Sequence, residues 1–486
     1  MALPVRCGLV LALVLAGGAA VGDAVVAAGL GSAVIAAYPF VRGARRGDFD
    51  PLEPINGFVA YTIFTMLIRG WVDLHYGGPI LGPRYRASSP EFRNLMAWVF
   101  GYTGMFLAAF MAAYYSRVGA LVANALPAPR WRPLSRFGVS IALVASLLAS
   151  LPAAVFLRGR LGAAIAEGSY LATSRGGGLS GVSFLLRFAL VGAYLAVLYN
   201  ARRAPRIPLL AACGYALLIS LVVFTLLPTK IIVANTLVLL VGAVHYLRRP
   251  VTVRSLVVAA CGGLLLVPIM GAYRYGQSPA EIWHLIKSLP SEPYLIIAGL
   301  FQRSFGADSF LVILDGVDHG RPLELGRTFA GLSWWWVPRA LWHEKPLTYA
   351  IEFWATYLRQ SAYFPPNVSA SPSMIGELYL NFWWPGVLIG GCVAGWLYRT
   401  VYAWFQRVPR SEASVLIYML TVAVMIKAVE APIADHMTEV VVNVTICMVV
   451  LLGIHLLMLV SRLRPAGGVA SLPDTMEEGG VRAGRI

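Results

Sequence analysis

Long apolar runs separated by short polar connections make up most of this chain. The runs are long enough to cross the roughly 30 Å hydrocarbon core of a bilayer as helices, which satisfy their own backbone hydrogen bonds there. The composition agrees, with 58% hydrophobic residues, 13% charged residues and a mean hydropathy of +0.70. We therefore predict an all-α fold, a polytopic membrane helical bundle. Its twelve predicted spans are 7–22, 24–41, 54–70, 95–116, 137–157, 181–199, 208–227, 231–247, 255–273, 375–398, 412–429 and 439–461.

Basic clusters follow every second predicted span. Because Lys and Arg are enriched in cytoplasmic loops, this alternation predicts that both termini are cytoplasmic. The net charge of +16 is then mainly a topology signal, and we expect no nucleic-acid partner. The clusters contain Arg42, Arg45, Arg46, Arg117, Arg130, Arg132, Arg136, Arg202, Arg203, Arg206, Arg248, Arg249, Arg254, Arg399, Arg407, Arg410, Arg462 and Arg464.

The spans divide the chain into four segments. Residues 1–273 carry spans one to nine, residues 274–374 form one large external loop, and residues 375–464 carry spans ten to twelve. The Gly-rich and charged residues 465–486 predict a disordered cytoplasmic tail. Loops as long as 274–374 are uncommon unless they are functional. We therefore expect the site in this loop or beside it.

Positive side chains in the large loop are the first candidates for a binding site. The loop holds eight basic and eight acidic residues, so its net charge is close to zero. Arginine forks bind phosphate oxygens bidentately and remain charged, which suits the pyrophosphate of a lipid-linked donor. The alternative for each arginine is pairing with the loop's own acids or with lipid headgroups. The loop candidates are Arg274, Arg303, Arg339 and Lys345, together with Asp308 on a predicted helix at 305–317.

A second group of candidates marks the start of the tenth predicted span. Glu377 and Asn381 are four residues apart and therefore share one helix face. Ionisable side chains at membrane depth usually face protein or water and mark a functional site. Glu377 is predicted either to act as a general base toward an acceptor hydroxyl or to pair with a loop arginine. Arg187 in the sixth span has no evident partner in its own helix and is predicted to face a central cavity.

The sequence shows no pattern typical of a cofactor or a metal. Its five cysteines all fall in apolar runs and lack metal-ligand spacing, which is typical of buried packing residues. A phosphate-binding glycine loop, a dinucleotide-binding loop and a zinc-peptidase histidine pair are all missing. We therefore predict neither a cofactor nor a metal.

Three stretches in the C-terminal third of the chain resemble the Wzy-type oligosaccharide repeat-unit polymerases, relatives of the O-antigen polymerases and ligases. The first is Arg303 in the loop, and the second is Val337-Pro338-Arg339-Ala340-Leu341-Trp342-His343-Glu344-Lys345-Pro346. The third is Gly376-Glu377-Leu378-Tyr379-Leu380-Asn381-Phe382, followed by Pro385-Gly386. The chain departs from the family pattern in Trp383-Trp384-Pro385, where a glycine usually follows the Asn-aromatic pair.

The resemblance implies a GT-C-like, metal-independent membrane glycosyltransferase of exopolysaccharide or O-antigen biosynthesis. It implies that undecaprenyl-pyrophosphate-linked oligosaccharides are polymerised at the periplasmic face of the bacterial inner membrane. Arg303 and Arg339, helped by Lys345, would hold the donor pyrophosphate. Glu377 would be the base or the group that orients the acceptor, with Tyr379 and Asn381 as neighbouring substrate-binding residues. A flippase and a chain-length regulator are the partners that this role implies.

Two other functions remain open from the sequence. An O-antigen-ligase-like transferase would move the finished glycan to a different acceptor. A lipid-linked glycan flippase or another transporter commonly has a similar number of spans. Flippases do not need a loop of this length, and the spans lack paired Gly/Pro interruptions in matching halves. The sequence therefore favours a transferase.

Overall fold

The computed structural model is helical wherever regular secondary structure occurs in the residues that it describes. No strand is present among them, so the all-α prediction is confirmed for this part of the chain. The described residues are 23–47, 49–76, 89–131, 133–148, 151, 179–203, 205–226, 230–252, 254–256, 269, 279–288, 291, 306–334, 342, 344, 349–353 and 372–463.

The helices follow the chain in a simple order. A π-helical segment, Ile63–Ile68, joins α2 to α3, and 3-10 turns cover Arg327–Ala330 and Ala428–Glu430. The helices are α1 (Ala24–Arg46), α2 (Pro54–Thr62), α3 (Arg69–Tyr76), α4 (Pro90–Tyr114), α5 (Val118–Ala125), α6 (Arg136–Leu148), α7 (Leu179–Arg203), α8 (Arg206–Leu226), α9 (Lys230–Leu247), α10 (Pro279–Ser288), α11 (Gly306–Asp318), α12 (Gly331–Trp334), α13 (Tyr349–Phe353), α14 (Met374–Arg407), α15 (Glu412–Lys427) and α16 (Ile433–Leu463).

Local chemistry explains where several of these helices begin. The Asp23 carboxylate accepts from the second and third backbone N–H groups of α1, which have no partner inside the helix. Helices α2 and α4 start with Pro54 and Pro90, and proline at the first helical position loses no hydrogen bond. Ser411 and Ser414 form a reciprocal capping box at the start of α15.

Seven helices in the described part of the chain are long and apolar enough to cross a membrane. They include seven of the twelve predicted spans, and three more predicted spans overlap with α6, α7 and α9. The first and ninth predicted spans, 7–22 and 255–273, fall outside or almost entirely outside the described residues. A helical membrane protein is therefore shown, while the number of twelve spans stays a prediction. The seven are Ala24–Arg46, Pro54–His75, Pro90–Tyr114, Arg206–Phe224, Met374–Arg407, Glu412–Glu430 and Ile433–Leu459.

Two hydrophobic cores meet at α15. One core joins α1, α2, α4, α11 and α14, and the other joins α7, α8, α9, α15 and α16. Helix α15 contacts α2, α7, α9 and α16, and every residue from 412 to 425 is buried. A helix that is apolar on all sides requires such a central position.

The bundle has two chemically different ends. At one, which we call the loop end, α3 and α15 finish and α4, α14 and α16 begin. The opposite, basic end gathers arginines from several of the predicted clusters: Arg202 contacts Glu412, Arg203 the carbonyl of Leu134, and Arg407 the carbonyl of Ala123. The connections with predicted basic clusters that these arginines represent therefore lie together at one end of the bundle. The compartment that this end faces stays a prediction.

Candidate functional site

The first two turns of α14 double back on the rest of that helix. The backbone leaves helical geometry at Phe382 and at Trp383, whose φ is 57° and ψ −153°. In a straight helix, residues 378 and 390 would lie about 18 Å apart, yet a Cβ on Gly390 would collide with the Leu378 side chain. Residues 374–381 therefore form a short segment of their own. The prediction that 375–398 is one continuous span is wrong at this point.

Glycines permit both this reversal and the packing of α14 on α4. A Cβ on Gly386 would meet the carbonyl oxygen of Leu378, so only glycine allows the close approach. Further along, a Cβ on Gly391 would lie 2.8 Å from the carbonyl of Phe106, and one on Gly395 would meet the carbonyl of Phe110. The glycine spacing at 391 and 395 thus brings two helices together, whereas Gly386 serves the chain reversal.

Glu377 ties the doubled-back segment to the start of α16. Its side chain has no exposed surface, and Oε2 accepts a 2.7 Å hydrogen bond from the backbone N–H of Ile433. A carboxylate is favoured at this position because the first N–H groups of a helix carry partial positive charge. Oε1 has no hydrogen-bond partner in the described part of the chain. Within that part, the partner of Glu377 is a helix N-terminus and not an arginine.

Asn381 fastens the loop ahead of α12 to the same segment. Its Oδ1 accepts from the Gly326 N–H at 2.7 Å, and its Nδ2 donates to Thr328 Oγ1 and to the Glu377 carbonyl, both at 2.8 Å. The Glu324 N–H also donates to the carbonyl of Leu380 at 3.0 Å. We call this arrangement, together with the bond from Ile433 to Glu377, the 377–381 clamp.

Arg327 lies in the clamped loop and shows how a loop arginine is used here. Its Nε is 2.5 Å from Glu324 Oε2, and its Nη2 is 2.7 Å from Glu352 Oε1. These hydrogen bonds raise the pKa of Arg327, so its charge is permanent. For this arginine the alternative reading, pairing with the loop's own acids, is confirmed.

Tyr379 supports the chain reversal. Its hydroxyl accepts from Trp383 Nε1 at 2.9 Å, and its ring packs against Tyr102 and Phe310 with centroid distances of 5.0 and 5.8 Å. The side chain is almost fully buried. Tyr379 therefore holds the segment in place and does not present its ring to a ligand in this conformation.

Asp308 belongs to a buried ionic triad between α11 and α3. Its Oδ2 lies 3.1 Å from Arg69 Nε, and Arg69 Nη2 lies 2.9 Å from Asp73 Oδ1. All three side chains are buried. Burial raises the pKa of Asp308, and the attraction of Arg69 offsets only part of this rise. In this conformation the Asp308 carboxylate is occupied by Arg69, and its predicted role in substrate binding stays a prediction.

The sequence analysis did not select Arg69 and Asp73. Their signal is a pair of opposite charges at i and i+4 near the end of an apolar run. The π-helical segment just before them shifts the register of this helix, and no periodicity in the sequence indicates such a shift.

Arg187 binds a side chain of a neighbouring helix, whereas the sequence predicted that it faces a central cavity. Its Nη1 donates to Asn443 Oδ1 of α16 at 2.9 Å. One turn earlier on α16, Glu439 Oε2 pairs with Lys427 Nζ of α15 at 2.6 Å. Glu439 is six residues after Ile433, about 9 Å along the axis. A polar cluster among α7, α15 and α16 thus begins within two turns of the clamp.

Four predicted site residues lie outside the described residues: Arg274, Arg303, Arg339 and Lys345. Their roles stay predictions. The structure brings Glu377, Tyr379 and Asn381 together in one segment, and it places Asp308 and Arg187 in two separate clusters.

One further group in the described part of the chain combines metal-ligand residue types. Atoms of Glu91, Asp315 and His319 all lie within 4.8 Å of one another. Glu91 and His319 are exposed, and His319 Nδ1 already lies 2.8 Å from the carbonyl of Asp315. Solvated groups of this kind are common without an ion, so we assign no metal to it.

The hydrogen bonds of the clamp therefore make the site a rigid frame. The clamp fixes the loop at residues 324–328, the doubled-back segment and the start of α16 relative to one another. A fully buried Glu377 cannot accept a proton from an acceptor hydroxyl unless the segment opens. Its geometry favours a positioning role over direct acid–base catalysis. Comparisons with protein-family models, curated proteins and solved structures found no match to this chain.

Proposed function

We propose that this chain is a membrane glycosyltransferase that polymerises undecaprenyl-pyrophosphate-linked oligosaccharide repeat units. The observation that carries the proposal is the 377–381 clamp. It joins the motif that resembles the repeat-unit polymerases to the large polar loop at one end of a membrane helical bundle. A frame of this kind suits a reaction between two lipid-anchored substrates, because both reacting groups must be held at the membrane surface.

In the proposed reaction, the bond between the growing glycan and its pyrophosphate carrier breaks. A hydroxyl of the next lipid-linked unit forms the new glycosidic bond, its proton passes to the departing pyrophosphate, and the carrier leaves as a protonated but still negatively charged pyrophosphate. Arg303, Arg339 and Lys345 stabilise the negative charge of that leaving group. Glu377 and Asn381 position the loop that carries these cations. No metal is required, because the arginines supply the positive charge.

The proposed location is the bacterial inner membrane, with the loop end facing the periplasm. A flippase would deliver the lipid-linked units to that face, and a chain-length regulator would act on the same product. Orientation is tested with an impermeant thiol reagent in a cysteine-free background. Asp318→Cys at the loop end should be labelled in cells with a permeabilised outer membrane, and Arg249→Cys at the basic end should not. The opposite labelling would overturn the orientation.

The function is tested with purified protein in nanodiscs and a lipid-linked repeat unit. The wild type should produce a ladder of glycan lengths together with released undecaprenyl pyrophosphate. Arg303→Ala and Arg339→Ala should abolish the ladder. The lysine variants should restore little activity, because an ammonium cannot form the planar fork of arginine. Arg249→Ala, which removes an exposed arginine at the basic end, is the matched control and should be fully active.

The other functions give different products in this assay. A ligase would transfer the glycan once to a different acceptor and give no ladder. A flippase would move the lipid-linked unit across a vesicle membrane without changing it. Full activity of the Arg303 and Arg339 lysine variants would show that charge alone suffices, and would favour binding of these side chains to lipid headgroups.

A further inference from the structure

A cavity of about 310 Å³ opens at the basic end, on the opposite side of the bundle from the 377–381 clamp. It lies where α1, α4 and α14 approach their ends. Three arginines, Arg42, Arg46 and Arg399, contribute to its wall, and Glu53 is the one acidic residue among the residues that line it. The lining therefore has an excess of positive charge.

The two half-buried arginines are held by aromatic rings and not by carboxylates. The Arg42 Cζ lies 4.0 Å from the centroid of the Tyr115 ring, and the Arg399 Cζ lies 5.7 Å from Tyr114 and 6.0 Å from Tyr402. The Arg42 Nη1 also donates to the Tyr38 hydroxyl at 3.3 Å. A cation–π contact does not use the N–H groups of a guanidinium, so the remaining N–H groups of Arg42 and those of Arg399 can bind a ligand.

Ion pairs do not neutralise these arginines within the described residues. None of Arg42, Arg46 and Arg399 lies within 4.0 Å of a carboxylate there. Glu53 accepts a 2.6 Å hydrogen bond from the Tyr114 hydroxyl. A concave site with positively charged forks that lack an acid partner is suited to a phosphate group, which accepts two N–H bonds from one fork.

The position of the cavity favours a ligand at the membrane surface. It is lined by the last turn of α1, by Tyr115 and Ser116 directly after α4, and by Gln406 near the end of α14. Arginines that only set membrane topology need not line a common cavity. The exposed Arg45 is an example, because it is next to Arg46 in the chain but does not line the cavity. Basic pockets between membrane helices are suited to phosphorylated headgroups.

We propose that this cavity is a phosphate-binding site, occupied either by an anionic lipid headgroup or by a soluble phosphate compound. The site is distinct from the proposed polymerase centre, and neither proposal depends on the other.

The test compares two sources of phosphate on purified, delipidated full-length protein. Native mass spectrometry measures retention of phosphatidylglycerol against phosphatidylcholine, and calorimetry measures binding of inorganic phosphate. Arg42→Gln and Arg399→Gln should weaken binding by about tenfold or more, since a charge-assisted hydrogen bond is lost. Arg45→Gln removes the same charge from the same helix outside the cavity, and should leave binding within about twofold.

Each outcome decides the proposal. Selective retention of phosphatidylglycerol that Arg42→Gln abolishes identifies a lipid site, and phosphate binding with the same dependence identifies a soluble ligand. Equal loss in Arg45→Gln, or no preference over phosphatidylcholine together with no phosphate binding, overturns the proposal. If the half-buried variants fail to fold, Arg46→Gln carries the test, because Arg46 lines the cavity but its side chain is exposed.

Discussion

Replacement of Glu377 separates its bond to α16 from any chemistry of its carboxyl group. Glu377→Gln keeps an oxygen that can accept from the Ile433 N–H at the observed 2.7 Å. Glu377→Ala removes the acceptor, so the first N–H of α16 loses its hydrogen bond to this side chain. The two substitutions therefore test whether the hydrogen bond or the ionisable group matters.

The cost of the alanine variant follows from the structure. A hydrogen bond to a charged group contributes about 1.5–3 kcal/mol, and the loss of one buried methylene adds about 0.8 kcal/mol. We therefore expect Glu377→Ala to lower the free energy of unfolding by about 2–4 kcal/mol and to reduce polymer with it. Glu377→Gln should retain most of the stability and most of the turnover, because the clamp survives.

Thermal unfolding in detergent measures the stability, and the nanodisc polymerisation assay measures turnover per folded protein. Glu352→Ala is the matched control, because this partly exposed glutamate forms an ion pair with an exposed arginine, and the loss of an exposed pair should cost about 0–1 kcal/mol. An alanine variant as stable as the wild type would refute the clamp. A stable Glu377→Gln variant slowed by about 10²–10⁴-fold would show that Glu377 is a general base, and would refute the positioning role.

Two further predictions concern the packing that supports the site. Arg69→Met should destabilise the protein by about 3–5 kcal/mol, because it leaves buried carboxyl groups without a cation. Asp73→Asn should cost less, because one carboxylate remains for the guanidinium. Equal unfolding temperatures of the two variants would contradict the triad. Gly395→Ala should cost about 1–3 kcal/mol because its Cβ would meet the carbonyl of Phe110. Gly453→Ala, with no atom within 4 Å of the added Cβ, is the control and should stay within about 0.5 kcal/mol of the wild type.

The helices and most of their positions were predictable from the sequence, because the signals are local. The apolar run from 412 to 429 has capping serines at its start and charged residues at its end. These local features predict a helix without information from any other part of the chain. The same holds for the glycines at 391 and 395, whose spacing alone indicates a close helix contact. The segment that carries Glu377 and Asn381 was also predictable, as polar residues at the start of an apolar span.

The partners of those residues were decided only by the tertiary structure. Asp308 meets Arg69 across 239 residues of chain, and Glu377 meets the N–H of Ile433 across 56. Periodicity indicates which side of a helix is buried, but the neighbour on that side depends on how all the helices pack. The break after Asn381 is of the same kind. It needs a glycine that admits the Leu378 carbonyl, and the chain must first have turned back for that contact to exist.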